Sequence, residues 1–205
     1  MSARTDTRLP RGRHKLSRAQ VTHSQRERML RAMAEAMAER GYVATPVAEI
    51  IRRAGVSRET FYQQFSSKQD CFVAGLEDAM ARLGTVLTAV GALEGPPLER
   101  FERLLGVYLE TLALEPATSR LFLIEVYAAG PEAARRRTQL QEPFVDGLVS
   151  IFGVRTEQGR FACQALMAAV ISLVTARIAA DDVAGLRALR APLVALVRDG
   201  LAGLS

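Results

Sequence analysis

The densest run of chemically useful side chains lies between Thr45 and Lys68, where Arg58, Thr60, Tyr62, Gln63 and Lys68 bring together guanidinium, hydroxyl, phenol, carboxamide and ammonium groups. These are groups that suit a polyanion. A guanidinium can pair with guanine O6 and N7, and a carboxamide with adenine N6 and N7. Hydroxyl and ammonium groups suit phosphate oxygens, which position a duplex without reading its bases. For Arg58 both base edge and phosphate remain open, and Gln64 is equally suited to a solvated face. Thr45 and Ser57 can serve either as phosphate ligands or as helix caps. A second basic element, Pro10-Arg11-Gly12-Arg13, is compact enough for Arg11 and Arg13 to enter a narrow A·T-rich minor groove, with a solvated tail as its alternative.

Other chemistries have little to work with. The only histidines are His14 and His23, so the rest of the chain lacks imidazole for a triad, a metal site or a proton shuttle. Neither a Gly-rich phosphate loop nor an H-E-x-x-H pattern occurs. Cys71 and Cys163 stand far apart in apolar surroundings, which suits a reducing compartment and two small core residues. No enzyme activity, metal or cofactor is expected. The charge is divided along the chain: residues 1–68 hold 14 Lys and Arg against 6 acids, and residues 69–205 hold 13 against 16. A basic first third on a mildly acidic body points to nucleic acid, an anionic membrane surface or a solubilising tail. The longest apolar stretch, 165–180, is interrupted by Ser172, Thr175 and Arg177 and is shorter than the roughly 20 residues that span a bilayer, so a soluble cytoplasmic protein is expected.

The elements that must position these residues are helical. With 205 residues, 49% of them apolar and 24% charged, the chain can bury a real core, and no sustained period-two alternation appears. The spacing predicts an arm over 1–23, then a helix capped by Ser24 with Leu30, Met33, Ala34 and Met37 as its buried stripe, ending at Gly41. Thr45 and Pro46 open a short second helix lined by Val47, Ile50, Ile51 and Ala54; Gly55 turns the chain and Ser57 caps a third helix over 58–65. Two short helices around a Gly-containing turn match a helix-turn-helix. Phe61 and Phe65, four residues apart, anchor the third helix and leave its polar face outward. Further helices are expected over 68–90, 98–115, 117–129, 140–151 with a kink at Pro143, 156–180, and 183–204 with Pro192 kinking or restarting it.

The run Gly41-Tyr42, Thr45, Val47, Ile50, Ala54-Gly55-Val56-Ser57, Thr60-Phe61-Tyr62, Phe65 and Lys68 resembles the DNA-binding signature of the TetR family of bacterial transcriptional regulators, over about residues 24–72. Ile51, at a position usually held by Ala, and Gln69-Asp70-Cys71 after Lys68 depart from the pattern in ways that touch packing and capping. The resemblance implies an all-α regulator with a three-helix DNA-binding domain over 24–68 and a larger helical domain over 69–205 for effector binding and dimerisation. It also puts Tyr62 and Lys68 foremost among the phosphate contacts. The implied partners are palindromic double-stranded operator DNA, a second copy of the chain and a small-molecule effector, with no membrane. A helical architectural DNA-binding protein without an effector is the alternative.

In the larger domain, Phe101, Leu105, Tyr108, Phe122, Val126, Tyr127, Phe144 and Leu148 are the candidate walls of a pocket for a predominantly apolar effector that releases DNA; filling an ordinary core is their other use. Leu166, Val170, Leu173, Val174, Leu189, Leu193 and Leu196 are the candidate dimer seam, because their helices are apolar beyond one stripe. Arg135, Arg136 and Arg137 are expected on a solvated helix face. The helix after Lys68 is the expected link between ligand and DNA.

Overall fold

A computed structural model describes residues 17–202, so Arg11 and Arg13 lie outside the described residues. Helix α1, Arg18–Arg40, begins earlier than the expected cap at Ser24. Ser17 and Gln20 already form a reciprocal capping box: the Gln20 N–H donates to Ser17 Oγ (3.2 Å) and the Ser17 N–H to Gln20 Oε1 (2.8 Å). Residues 18–23, expected in the arm, are therefore helical. The buried stripe is Met29, Ala32, Met33, Ala36 and Met37, one position round from the expected one, with Leu30 and Ala34 at its edge.

Helix α2, Val47–Ala54, stops at Gly55, whose φ of 62° and ψ of 42° give the left-handed turn that a side chain would resist. Ser57 caps α3, Arg58–Gln64, and Ser67 caps α4, Lys68–Gly91, each accepting a backbone N–H three residues on. There follow α5 (Pro97–Leu114), α6 (Pro116–Leu123), a 3-10 turn (Glu125–Tyr127), α7 (Pro131–Gln139), α8 (Glu142–Phe152), α9 (Glu157–Ala179), α10 (Val183–Ala188) and α11 (Arg190–Ala202). Proline explains much of this punctuation. Pro116, Pro131 and Pro143 sit at helix starts, where a missing N–H is harmless, so Pro143 opens α8 and kinks nothing. Pro192 falls in the first turn of α11 and marks a restart. The expected single helix over 117–129 breaks after Leu123 into the 3-10 turn. No strand occurs among the described residues.

The helices enclose two cores. The lower one joins Met29, Met33, Ile50, Phe61, Phe65 and Phe72 of α1 to α4 with Leu121, Phe122, Val126 and Ala133 of α6, the 3-10 turn and α7. The Phe72 and Phe122 rings meet edge to face at 5.6 Å. The helix-turn-helix thus completes its apolar interior with residues from the larger domain. The upper core gathers α5, α8, α9, α10 and α11 around Leu105, Leu109, Val170, Val174, Leu186 and Leu193. Helix α4 passes from the lower core to the wall between the two.

Candidate functional site

Helix α3 is held from beneath. Phe61 and Phe65 are buried with ring centroids 5.5 Å apart, and the opposite side exposes Arg58, Glu59, Tyr62 and Gln63. Arg58 lies over the Tyr62 ring at 5.4 Å, and Gln63 Nε2 donates to Glu59 Oε1 at 3.2 Å, so both long side chains are partly ordered in advance. Thr60, half-buried, shares a 2.9 Å hydroxyl contact with the Ser57 cap. Lys68 donates from Nζ to the Tyr42 carbonyl at 2.8 Å and sits 4.2 Å from the Tyr42 ring centroid. Burial lowers the pKa of this ammonium. Two of its protons are left over from the bond to the Tyr42 carbonyl.

Thr45 requires a correction. It is 0% exposed, and its Oγ1 donates to the carbonyls of Gly41 (2.8 Å) and Ala36 (3.3 Å). It ties the α1 terminus to the following loop, out of reach of phosphate, and it does not cap α2, which has Pro46 at that place and no side-chain cap.

A cluster of ionic contacts beneath the motif was legible only as i, i+3 and i, i+4 spacing. Glu49 accepts from Arg52 (2.9 and 2.7 Å) and Arg53 (2.7 Å) and lies 3.7 Å from Arg40, while Arg53 also reaches Glu39 on α1. Hydrogen bonds from Arg52 and then Arg53 pull the Glu49 pKa down to about 2. The cluster clamps α2 on α1.

Above the lower core lies a cavity of about 860 Å³, walled by α4, α5, α6, α7, α8 and α9. Phe101, Leu105, Tyr108, Phe122, Phe144 and Leu148 line it, joined by Met80, Leu83 and Leu87 of α4 and by Leu166 and Met167 of α9. Val126 and Tyr127 do not. The break after Leu123 carries them off the α6 face: Val126 is buried in the lower core, and Tyr127 is 64% exposed, its phenol oxygen accepting from Arg137 Nη1 at 3.0 Å. The three adjacent arginines also part company. Arg135 is exposed and Arg136 reaches Glu77 on α4 at 2.6 Å, but Arg137 is only 8% exposed and forms part of the cavity wall. Its position four residues after the buried Ala133 was the one sign of an inward face.

The candidate seam divides as well. Val170, Val174, Leu189 and Leu193 are buried in the chain's own upper core and are not free for a partner, and the half-buried Leu166 lines the cavity. Leu173 and Leu196 are exposed, at 43% and 57%. Helix α9 turns Phe161, Ala165, Ala168, Ser172, Leu173 and Ala176 outward as a mostly apolar face of small side chains. By length and composition α9 is also a helix that could cross a membrane; its other side is committed to the upper core. Cys71 and Cys163 are free and buried, and burial pushes the Cys71 thiol up to about 12.

Comparison with known proteins places this geometry. Residues 29–74 match the family model described as bacterial regulatory proteins, tetR family. The chain is 27% identical over 151 residues to the HTH-type transcriptional regulator EthR of Mycolicibacterium smegmatis, covering 73% of this chain and 64% of that one. It is 26% identical over 145 residues to the HTH-type transcriptional activator FasR of the same organism, covering 71% and 65%. Both matches span less than two thirds of the relative's own length. The solved structure of the transcriptional regulator FadR from Bacillus subtilis, in complex with stearoyl-CoA, shares the fold with a TM-score of 0.70 at 18% identity over 83% of this chain and 96% of that one.

Proposed function

We propose that the chain, whose helix-turn-helix matches the model of the tetR family of bacterial regulatory proteins over residues 29–74, is a sequence-specific, homodimeric transcriptional repressor released from a palindromic operator by a predominantly apolar small molecule. Residues 24–68 bind DNA, with Arg58 and Gln63 at base edges and Thr60, Tyr62 and Lys68 at phosphates. Residues 69–205 hold the effector and the dimer contact. Arg11 and Arg13 extend the contact into an A·T-rich minor groove. The outward face of α9, with Leu173 and with Leu196 of α11, supports pairing with a second copy, which sets two recognition helices about one helical turn of DNA, or a multiple, apart. The protein acts in the cytoplasm and performs no catalytic step.

The observation that carries this reading is the course of α4. One continuous helix begins at Lys68, just after the recognition helix, buries Cys71 and Phe72 in the lower core, and walls the cavity with Met80, Leu83 and Leu87. A ligand that shifts α4 therefore changes the spacing of the two recognition helices. A 100-fold release needs about 2.8 kcal/mol of coupling, within the usual allosteric range. An effector with an acyl chain is favoured by the stearoyl-CoA in the B. subtilis FadR complex and by the apolar wall. Titration of a selected operator duplex with a panel of apolar metabolites tests the proposal: a binder that weakens operator affinity tenfold or more supports it, and saturation without any change in operator affinity contradicts it.

A further inference from the structure

We propose that Arg137, together with the Tyr108 hydroxyl, receives the ionised carboxylate of a ligand whose remaining body is apolar, so that the cavity selects amphipathic monocarboxylates. The inference rests on the effector reading above and names the chemistry of its ligand.

Arg137 is the most buried charge on the cavity wall. A guanidinium carries five N–H donors and stays protonated. Here one N–H is used, on the Tyr127 phenol, whose ring lies 5.8 Å away. No carboxylate lies within ion-pair distance of Arg137 among the described residues. The other charges on the wall are answered or wet: Glu77 by Arg136, Arg82 by Asp78, Arg100 by the Gly91 carbonyl, and Glu115 by solvent. An unpaired cation in an apolar enclosure is costly, and an anion brought by the ligand removes that cost.

Tyr108 supplies the second donor. Its hydroxyl has no protein partner among the described residues, and burial pushes its pKa up to about 12 against the opposite pull of Arg137, so it remains a neutral O–H at physiological pH. A carboxylate can accept from both groups at once. Phe101, Leu105, Met80 and Phe144, with Leu83, Leu87 and Met167, make the wall predominantly apolar, which suits a ligand whose body is mostly apolar. A CoA thioester has a neutral carbonyl where the free acid has its charge, and its phosphates lie far along the molecule from that carbonyl, so an anion seated at the acyl end beside Arg137 is offered by the acid and not by the thioester.

Calorimetric titration of the full-length protein with octanoate, dodecanoate and hexadecanoate, each beside its methyl ester, and with dodecanoyl-CoA, decides the matter. The best acid should bind roughly tenfold or more tightly than its ester. In Arg137→Met that preference should fall to near one while the ester's affinity is kept, which also shows that the cavity is intact. Tyr108→Phe should reduce the preference and leave some of it. Equal binding of acid and ester, retention of the preference in Arg137→Met, tighter binding of dodecanoyl-CoA than of dodecanoate, or no binding by any acid would each overturn the inference. Operator binding is measured without these ligands, so such a failure leaves the DNA-binding reading standing.

Discussion

Glu125 and Tyr42, 83 residues apart in the chain, are joined by a 2.9 Å hydrogen bond from the Tyr42 backbone N–H to the Glu125 carboxylate. Tyr42 follows α1 and also receives the Lys68 ammonium on its carbonyl, so this one residue ties together α1, α4 and the 3-10 turn. The neighbouring Tyr127 holds Arg137 at the cavity wall. Under the proposed function, these contacts form a second link between the cavity wall and the DNA-binding helices, beside α4. Glu125→Ala should lower stability by about 1.5–3 kcal/mol, the range for losing a hydrogen bond to a charged group. It should also weaken ligand-driven release of operator more than it weakens ligand binding. Paired calorimetry and operator titration of the variant measure both; unchanged release in a folded variant leaves α4 as the sole route.

Backbone and base contacts predict different losses. Lys68→Ala and Tyr62→Phe should weaken binding to every duplex, with Lys68→Ala lowering the salt slope by about one unit. Gln63→Ala should instead alter the preferred base at one position of each half-site, at about 1–3 kcal/mol. Salt titrations by anisotropy and selection from a randomised duplex read the two effects. An unchanged slope in a folded Lys68→Ala protein would remove that residue from the phosphate contacts.

The Glu49 cluster gives a pH dependence with a definite sign. Its carboxyl is held below the ordinary value of 4.5, at about 2, by Arg52 and Arg53. Because the folded state binds the proton more weakly than the unfolded chain, the stabilisation is fully present above about pH 4.5 and fades as the pH falls toward 2. Urea midpoints should drop between pH 6 and pH 3 by more in the parent than in Glu49→Gln, which has no such titration. Parallel curves for the two proteins would show that the cluster contributes nothing to the acid limb.

Leu173 and Val174 are adjacent in α9 and predict opposite failures. Leu173 is exposed on the outward face, so Leu173→Arg should yield folded monomers with weak operator affinity. Val174 is 0% exposed within the upper core, so Val174→Arg buries an unpaired charge and should unfold the chain, at a cost of several kcal/mol. Sedimentation with far-ultraviolet circular dichroism separates the outcomes. Folded dimers of Leu173→Arg at low micromolar concentration would move the interface elsewhere.

What the sequence made legible was local. The Gly55 turn, the Ser57 cap and the Phe61 and Phe65 anchor depend on neighbours in the chain, and each is found where the spacing predicts it. Thr45 was misjudged because its acceptors, the carbonyls of Ala36 and Gly41, become available only when α1 ends above it. Val174 and Leu193 look like a surface seam in a stripe, since periodicity does not say whether an apolar face meets the same chain or another copy. Arg137 was hidden among three arginines because its direction is decided by α7 docking on α4 and the 3-10 turn, at long range in the chain.

That α3 reads a specific sequence is decided by one affinity ratio. Duplexes selected by the protein from fragmented source DNA are titrated beside a scrambled duplex of equal length at physiological salt. The selected duplex should bind more tightly by about 10³-fold or more, and that preference should collapse when Arg58 and Gln63 are both replaced by alanine. Equal affinity for selected and scrambled duplexes would contradict it and leave an architectural DNA-binding protein in its place.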